Sequence, residues 1–290
     1  MVFRYAIRAF DRHNLLGTGI KVRFESVDGL QLPKVGFGTW KIGGGSFANR
    51  SQDARGLAAL RSAIQMGYTV FDTAELYGAG HTEELLGQAV LEIGVPRESL
   101  LIISKVRPEH LRYEAVLKAC EASLRRLRMD YLDLYLIHWP GGGMRLSDTF
   151  RALNKLVSDG KVRRLGVSNF DLRLIKASEE HCETPLLTNQ VPYSVSDRTY
   201  VGNGVMAYCR QRGILITAYS PLGQGHFNAS KALRAVAEAH SATPQQIAIA
   251  WLTNQPGVIT IPMSQEPEHQ RQNLSAADIT LTEPEMAQLA

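Results

Sequence analysis

Eight short runs rich in β-branched and apolar residues recur along the chain, and a segment with helical periodicity follows each of them. The first run begins at Val35, and the others are Tyr68–Phe71, Leu100–Ser104, Leu132–Ile137, Arg164–Val167, Leu186–Asn189, Gly213–Ala218 and Val258–Ile261. Strands that alternate with helices form a parallel sheet, and eight such units close into a barrel. The alternation therefore predicts an α/β fold, a (β/α)₈ barrel of the TIM type, preceded by a short β-hairpin that turns at Asp28 and Gly29.

One domain accounts for the whole chain. Its 290 residues, 44% of them hydrophobic, are sufficient for a barrel of roughly 250 residues, and no linker or break in composition divides them. We therefore expect a single domain over residues 1–290, with residues 1–20 as an N-terminal extension lying on the body. The extension carries Arg4, Arg8 and Arg12 among apolar residues, which leaves an organelle presequence as the alternative.

Several helix boundaries carry local signals. Ser51 is predicted to cap the first helix, and Gly67 is predicted to end it. Residues 113–127 form a helix with an apolar stripe that includes Cys120, so this cysteine is predicted to lie in the core rather than to act as a nucleophile. Thr243 begins a capping box, with Pro244 at the first helical position.

Charge and cysteine content argue against several classes of function. The formal net charge is +4, but the basic residues are interspersed with acidic ones, so the pattern does not indicate nucleic-acid binding. No apolar run approaches the roughly 18 residues of a membrane-spanning helix. Cys120, Cys182 and Cys209 form no Cys-x-x-Cys pair, which is typical of neither a disulfide framework nor a thiolate zinc site. We expect a cytoplasmic monomer or weak dimer whose partner is a small molecule.

Ionisable groups follow three consecutive predicted strands. Asp72 follows the second run, Lys105 the third and His138 the fourth, and Tyr77 lies in the loop after Asp72. The spacing from Asp72 to Lys105 equals that from Lys105 to His138, and both are close to the length of one strand-helix-strand unit, roughly 30 residues. Since the strands of such a barrel end at one rim, and active sites lie there, we expect these four side chains to meet.

Together the four groups suit proton transfer to an oxygen. A tyrosine with a pKa of about 10 is protonated at neutral pH and can act as a general acid. At about 4 Å and an effective dielectric of 20, Lys105 would interact with ionised Tyr77 by ~4 kcal/mol, which predicts a lowered phenol pKa. Asp72 would keep Lys105 charged, and His138 would donate a hydrogen bond to the same oxygen.

Each of these residues taken alone has a structural alternative. An Asp or Lys at a strand end is more often part of a salt bridge, and a His in an apolar strand is more often a core residue. A zinc site is a further alternative, because Asp and His also bind metals. However, the first strand lacks the His-x-His pair that a barrel metallohydrolase would supply, so no metal ligand is predicted.

The chain resembles the aldo-keto reductase family, and within it the bacterial reductases of small dicarbonyls, of the methylglyoxal or diketogluconate type. The resemblance covers nearly everything from Lys21 onward. The matching stretches, in order and spacing, are Gly36–Trp40, Asp72–Gly78, Ile103–Lys105, Ala122–Leu127, Asp130–His138, Gly166–Phe170, Asn189–Gln190 and Ala218–Leu222. The resemblance implies reduction of aldehydes or ketones by hydride from a nicotinamide cofactor. It also implies that Asp72, Tyr77, Lys105 and His138 are the catalytic tetrad, with Tyr77 as the general acid.

The resemblance further implies NADP(H) as the cofactor, with NAD(H) as an alternative. It implies that Ser168, Asn169 and Gln190 contact the nicotinamide carboxamide and that Tyr219 stacks on the nicotinamide ring. The remaining residues implied to bind the cofactor are Thr39, Trp40, Ser220, Leu222, Gln224, Met263, Ser264, His269 and Asn273.

The segment after the last strand departs from the family pattern. Relatives that prefer NADPH have a lysine and an arginine where this chain has Met263 and His269, so we expect a weakened preference for NADPH. The glycine-rich loop at residues 141–143 and the short segment after the last barrel helix predict a shallow pocket for small carbonyls.

Two rival functions stay open: a cofactor-holding redox-sensing or interaction protein with slow turnover, and a cofactor-free hydrolase or isomerase.

Overall fold

A β-hairpin opens the part of the chain that the structure, a computed structural model, describes. That part is residues 23–290, so the extension predicted for residues 1–20 lies outside the described residues. The antiparallel strands β1 (Phe24–Val27) and β2 (Leu30–Pro33) are joined by Asp28 and Gly29. Both turn residues have positive φ, 46° and 73°, the backbone that a two-residue type I′ turn requires. The predicted hairpin and its turn are confirmed.

Eight parallel strands follow, hydrogen-bonded to one another in chain order. They are β3 (Phe37–Gly38), β4 (Val70–Asp72), β5 (Leu101–Val106), β6 (Leu132–Ile137), β7 (Val162–Ser168), β8 (Leu186–Pro192), β9 (Leu215–Tyr219) and β10 (Val258–Thr260). The two ends of the sheet meet in a parallel bridge between Val35 and Thr260. The Gly36 amide donates to the Thr260 carbonyl oxygen at 2.8 Å beside it. The sheet is therefore closed, and the predicted (β/α)₈ barrel is confirmed.

Helices surround the barrel. They are α1 (Asp53–Met66), α2 (His81–Ile93), α3 (Tyr113–Leu127), α4 (Leu146–Ser158), α5 (Leu172–Glu179), α6 (Thr199–Gly202), α7 (Val205–Arg212), α8 (Lys231–Ala239), α9 (Pro244–Thr253), α10 (Pro267–Ser275) and α11 (Glu283–Gln288). Across residues 23–290, none of the helices combines the length and apolar character needed to cross a membrane.

Most of the predicted helix boundaries are confirmed, and one is wrong. Gly67 ends α1 with a left-handed backbone, and Thr243 forms the predicted capping box with Gln246 at the start of α9. Ser51 does not cap α1, because the chain first makes a short 3₁₀ turn over Arg50–Gln52. The Ser51 hydroxyl donates to the Asn49 side-chain oxygen at 2.7 Å instead, and α1 begins at Asp53 without a side-chain cap.

The core has two layers. The larger one lies between the strands and the helices and includes Cys120, which is fully buried as predicted. Burial raises the pKa of the Cys120 thiol to about 12, so this thiol is inert at neutral pH. The smaller layer fills the barrel with apolar side chains that include Leu134, Leu187 and Leu215, and Leu32 of β2 packs into it. The hairpin therefore covers the end of the barrel at which the strands begin, opposite the rim where they end.

Candidate active site

The structure brings the four predicted catalytic side chains together at the rim where the strands end. Asp72 is the last residue of β4, Lys105 lies one residue before the end of β5, and His138 directly follows β6. Tyr77 lies in the loop after β4. All four residues are buried. The placement follows from the parallel register, because the carboxyl ends of neighbouring strands meet at one edge.

Lys105 is at the centre of this group. Its ammonium nitrogen donates to Asp72 Oδ1 at 2.6 Å, to the Thr73 carbonyl oxygen at 2.9 Å and to the Tyr77 hydroxyl oxygen at 3.1 Å. An ammonium has three donors, so all of them are used. Burial lowers the pKa of Lys105, but the negative charge of Asp72 and the contact with Tyr77 outweigh burial and the net shift is upward. Lys105 is therefore a cation at neutral pH.

Two residues that the family resemblance assigns to the cofactor also contact Asp72. The Gln190 side-chain amide donates to Asp72 Oδ2 at 2.8 Å. The hydroxyl of Thr39, which is fully buried, donates to the Asp72 carbonyl oxygen at 2.9 Å. Gln190 therefore binds the carboxylate oxygen that Lys105 does not contact, and Thr39 holds the Asp72 backbone. No local pattern pointed to the contact with Gln190, because 118 residues separate it from Asp72.

Tyr77 does not have the lowered pKa that the sequence predicted. Burial is the largest influence and raises the pKa of the phenol, Lys105 lowers it, and the net shift is upward. The prediction considered the charge of Lys105 and underestimated desolvation, which disfavours the charged phenolate. Tyr77 is consequently protonated at neutral pH, the state that a proton donor needs.

Aromatic rings surround the Tyr77 side chain. The Trp40 ring meets it edge to face at 5.0 Å between centroids, and the His138 ring does so at 5.6 Å. His138 in turn stacks on Trp139 at 3.8 Å. Trp40, which the sequence assigned to the cofactor, is thus a packing partner of the phenol. These contacts restrict the orientation of the Tyr77 hydroxyl.

His138 is neutral in this environment. Burial lowers the pKa of its imidazole to about 2, with a smaller contribution from the positive charge of Lys105. Its Nδ1 atom is buried and has no hydrogen-bond partner among the described residues. A neutral imidazole carries one N–H and can donate one hydrogen bond to an uncharged acceptor such as a carbonyl oxygen.

A second hydrogen-bonded group lies at the ends of β7 to β9. The Asn169 amide donates to the His138 carbonyl oxygen at 3.1 Å and to the Ser168 hydroxyl at 3.0 Å. The Asn169 side-chain oxygen accepts from the Tyr219 hydroxyl at 2.9 Å, and Ser168 donates to the Gln190 carbonyl oxygen at 2.8 Å. Burial raises the pKa of Tyr219 to about 12, so its phenol stays a donor. The predicted nicotinamide-contacting residues are therefore linked to one another and to His138.

Strained backbone marks the same rim. Asn169, Ser220 and Gln224 have φ of 61°, 52° and 54°, a left-handed conformation that costs about 1–3 kcal/mol for a residue other than glycine. The Gln224 amide donates to the Ser220 hydroxyl at 2.8 Å, and the half-buried Leu222 packs on the outer core. Such strain is concentrated at ligand sites, and the family resemblance assigns these residues to the cofactor.

The last of the residues that the resemblance assigns to the cofactor follow β10. Met263 and Ser264 are half-buried, His269 is exposed on α10, and Asn273 is buried on the same helix. The Ser264 hydroxyl accepts from the Glu266 amide at 3.1 Å, which shapes the turn into α10. These residues therefore lie in the turn before α10 and along this helix.

Acidic residues accompany the cations of this segment. Arg55 of α1 lies 2.7 Å from Glu266, and Arg271 lies 3.7 Å from Glu268, measured between nitrogen and carboxylate oxygen. These side chains are all more than half exposed, and such exposed pairs stabilise a protein by about 0–1 kcal/mol. Loss of either pair would therefore change the stability of the protein little.

The arrangement supports one kind of chemistry in particular. A protonated phenol beside a buried ammonium can give up its proton, because the cation stabilises the phenolate that forms. A neutral imidazole close to the phenol ring can donate a hydrogen bond to the same acceptor. Both groups suit an oxygen that gains negative charge during reaction.

Comparison with known proteins identifies a family that matches most of the chain. Residues 34–290 match the model of the aldo/keto reductase family. A protein named methylglyoxal reductase from Escherichia coli is 36% identical over 269 residues, which cover 90% of this chain and 90% of that protein. A glyoxal reductase from Bacillus subtilis is 37% identical over 93% of this chain and 92% of its own length.

A solved structure has the same fold. An aldo-keto reductase from Klebsiella pneumoniae, crystallised with NADPH, superposes with a TM-score of 0.81 and is 39% identical, covering 92% of this chain and 93% of its own. The resemblance inferred from the motifs is thus confirmed. The chain belongs to the aldo/keto reductase family.

Proposed function

We propose that this NAD(P)H-dependent oxidoreductase reduces small aldehydes and ketones to alcohols, with Tyr77 as the general acid. One observation carries the proposal: the Tyr77 hydroxyl lies 3.1 Å from the buried Lys105 ammonium at the rim where the barrel strands end. When bound, the nicotinamide supplies the hydride that the carbonyl carbon receives. The residues of the chain supply the proton, the orientation and the electrostatic field.

Lys105 acts mainly on the transition state. While Tyr77 is neutral, its hydroxyl oxygen offers the Lys105 ammonium a hydrogen-bond acceptor at 3.1 Å but no negative charge. As the proton moves to the carbonyl oxygen, negative charge develops on the phenol oxygen and attraction to Lys105 grows, on the order of 4 kcal/mol at 4 Å in an effective dielectric of 20. An interaction that is stronger in the transition state than in the ground state accelerates the reaction.

Asp72 and His138 have separate tasks. Asp72 keeps Lys105 charged and holds it in place, and is itself held by Gln190 and Thr39. His138 donates a hydrogen bond to the substrate oxygen and orients the carbonyl group. Because the His138 imidazole is neutral, it polarises the oxygen without competing to protonate it.

The residues at the ends of β7 to β9 fit a nicotinamide cofactor. Asn169, Ser168 and Tyr219 are pre-oriented by their mutual hydrogen bonds, which reduces the entropy lost on binding. Ser220 and Gln224 present left-handed backbone, which exposes peptide groups to a ligand. We propose NADP(H) as the preferred cofactor, as in the NADPH complex from Klebsiella pneumoniae, with a weakened preference because Met263 offers no charge.

The substrates we propose are small carbonyls, above all dicarbonyls of the size of methylglyoxal and glyoxal. Two relatives bear the names of reductases of these compounds. Beyond Trp139 and Pro140, the loop after His138 continues with Gly141, Gly142 and Gly143, which carry no side-chain bulk. We also propose that the chain acts as one domain, as a cytoplasmic monomer or weak dimer. Its three cysteines are all unpaired thiols, which is typical of a reducing compartment.

A panel of carbonyl compounds tests the proposed function. Methylglyoxal, glyoxal, a sugar aldehyde and a steroid ketone would each be offered with NADPH and with NADH, and cofactor oxidation would be followed by absorbance. We expect the highest kcat/KM with a small dicarbonyl and NADPH. No turnover with any compound, despite tight binding of the cofactor, would favour a cofactor-holding sensor. A steroid ketone as the best substrate would overturn the proposed substrate class.

A further inference from the structure

A buried histidine lies close to Tyr77 and has no part in the chemistry described above. His81 is the first residue of α2, four positions after Tyr77, and is 5% exposed. Its Nε2 atom lies 2.8 Å from Asp53 Oδ1 of α1, and its Nδ1 atom lies 2.7 Å from Glu84 Oε2 of α2. Both ring nitrogens therefore face carboxylate oxygens.

This geometry determines the charge of the ring. Ionised carboxylates only accept hydrogen bonds, so both nitrogens of His81 must donate, and only the imidazolium carries two N–H groups. The cluster is not a metal site, since no described group of His, Cys, Asp and Glu side chains is arranged to hold a metal ion. Burial lowers the pKa of His81, but the two carboxylates raise it more, and the net shift is upward.

The charged groups around the ring come from three elements. Asp53 is contributed by α1, and Glu84 by α2 itself. Arg50, in the turn before α1, opposes protonation and lies 3.9 Å from Glu84. The loop before that turn approaches the ring with Gly43, which carries no charge. The balance of these charges favours the imidazolium.

The segment between Tyr77 and His81 needs an anchor. Gly78, Ala79 and Gly80 have φ of 57°, 52° and 96°, and the left-handed backbone of Ala79 costs roughly 1–2 kcal/mol. The Gly78 amide donates to the Gly45 carbonyl oxygen at 2.6 Å. On the far side of the strained residues, the ionic hydrogen bonds of His81 tie the start of α2 to α1. The next residues of α2 add two further anchors: the Thr82 hydroxyl donates to the Ile42 carbonyl oxygen at 2.6 Å, and Glu83 pairs with Arg126. Of the side-chain contacts at the start of α2, those of His81 lie nearest to the strained residues and to Tyr77.

We propose that His81, as an imidazolium bridging Asp53 and Glu84, is a positioning residue for the Tyr77 hydroxyl. The proposal rests on the proposed role of Tyr77 as general acid. When the ring loses its proton, one nitrogen presents a lone pair to a carboxylate, and one of the two bridges is lost. The segment then loosens, and the hydroxyl spends less time in position between Lys105 and the substrate oxygen. Proton transfer slows as a result, while the cofactor residues on β7 to β9 are undisturbed.

The sign of the pH dependence follows from the direction of the shift. Because the folded-state pKa of His81 is raised above its ordinary value, the contribution of the imidazolium is complete below about pH 6.5. It is lost as the pH rises through the folded-state pKa. Kinetics measured across this range therefore report on the bridge.

The test compares His81→Asn with wild type over a range from about pH 6 to about pH 9. We expect this variant to fold, because the side chains of Asp53 and Glu84 are 27% and 48% exposed and can be hydrated. At the acidic end kcat should fall by roughly 10- to 100-fold, the scale of a small misplacement of a catalytic group. KM and the Kd for NADPH should change little. The ratio of wild-type to variant kcat should narrow as the pH rises, because the wild-type ring then loses its proton too.

Two further variants sharpen the test. Glu84→Gln retains a hydrogen-bond acceptor but removes a charge, so the alkaline decline of kcat should move to lower pH than in wild type. His181→Asn, at an exposed histidine between α5 and β8, is the matched control and should behave like wild type. Because the pKa of Tyr77 is raised above its ordinary value of about 10, ionisation of this phenol contributes little to the kcat ratio between about pH 6 and about pH 9.

Two outcomes would overturn the inference: wild-type kcat in His81→Asn, or a loss that is the same at every pH, as expected from a general structural defect. Tyr77→Phe, measured in the same assays, separates the two proposals. Turnover that persists in Tyr77→Phe would refute the proposed function itself. An inactive Tyr77→Phe together with a fully active His81→Asn would refute only the role of His81.

Discussion

The ion pair between Asp72 and Lys105 shows what individual residues contribute. Both side chains are almost completely excluded from solvent, 2% and 0% exposed, with 2.6 Å between the charged atoms. Replacing such a pair with apolar residues is often neutral or stabilising, whereas removing one partner leaves a buried charge and costs roughly 3–5 kcal/mol. A contribution to stability therefore does not explain this ion pair. The contact of Lys105 with Tyr77 indicates that its role is in function.

Removal of Lys105 should separate these two contributions. In Lys105→Met the Asp72 carboxylate keeps Gln190 as a donor but loses its cation, so we expect the free energy of unfolding to fall by roughly 3–5 kcal/mol and kcat to fall as well. Thermal melts and carbonyl-reduction kinetics would be measured on the same preparation.

The double variant Asp72→Asn with Lys105→Met is the matched control. It removes the orphaned charge, so most of the lost stability should return while the activity does not. If activity returned together with stability, the role of Lys105 would be structural only.

At the residue scale, the sequence was sufficient to predict which four residues meet at the rim. It was not sufficient to predict the energies of their interactions. Strand ends at equal spacing must meet at one rim, so Asp72, Lys105 and His138 could be placed together from their numbers alone. The direction of the Tyr77 pKa shift could not be predicted, because desolvation depends on how completely the surrounding elements cover the phenol. The bond from Gln190 to Asp72 requires the closed barrel and is invisible in any local pattern.

At the scale of elements, short segments were harder to predict than long ones. The stripe of α3 and the capping box of α9 are local, and their predicted boundaries are confirmed. Strand β3 has only two residues, Phe37 and Gly38, although the chain around it also bonds to Thr260 at the end of β10 and to Pro262 beyond it. The 3₁₀ turn before α1, which displaced the predicted cap at Ser51, leaves no clear trace in the sequence.

The segment between β10 and α10 determines cofactor choice in our account. Met263→Lys combined with His269→Arg should add two charged hydrogen bonds to a 2′-phosphate, each contributing about 1.5–3 kcal/mol. NADPH should then bind roughly tenfold more tightly or better, and NADH, which lacks this phosphate, should bind as before. Both affinities would be titrated by fluorescence.

His181→Arg adds a cation at the opposite end of the barrel and controls for net charge. It should leave the affinity for NADPH unchanged. Equal gains for NADPH and NADH in the double variant, or no gain at all, would mean that the phosphate is held by residues elsewhere.

At the scale of the whole molecule, closure of the barrel joins the first strand to the last. The Gly38 amide donates to the Pro262 carbonyl oxygen at 3.2 Å, and a Cβ at Gly38 would lie 2.6 Å from the carbonyl oxygen of Ile261. The backbone at Gly38 approaches the backbone after β10 closely because the first strand must pair with the last to close the barrel. Gly38 therefore stabilises the closed barrel by having no side chain.

Gly38→Ala should destabilise the protein by about 1–3 kcal/mol, the usual scale for overpacking. Because we propose a single domain, thermal unfolding should stay one cooperative transition at a lower temperature. Gly202→Ala at the end of α6 is the control, since a Cβ there has no neighbour within 4 Å, and its melting should be almost unchanged. Two separated transitions in Gly38→Ala would contradict the single domain.

The central claim is that Tyr77 gives its proton to the substrate oxygen, and Tyr77→Phe tests it most directly. The substitution removes one hydroxyl from a buried ring and preserves the aromatic contacts with Trp40 and His138. We expect kcat for a small dicarbonyl to fall by ~10²-fold or more, the scale of lost general acid catalysis, while the Kd for NADPH and the melting temperature stay close to those of wild type. Turnover near the wild-type rate in this variant would contradict the account.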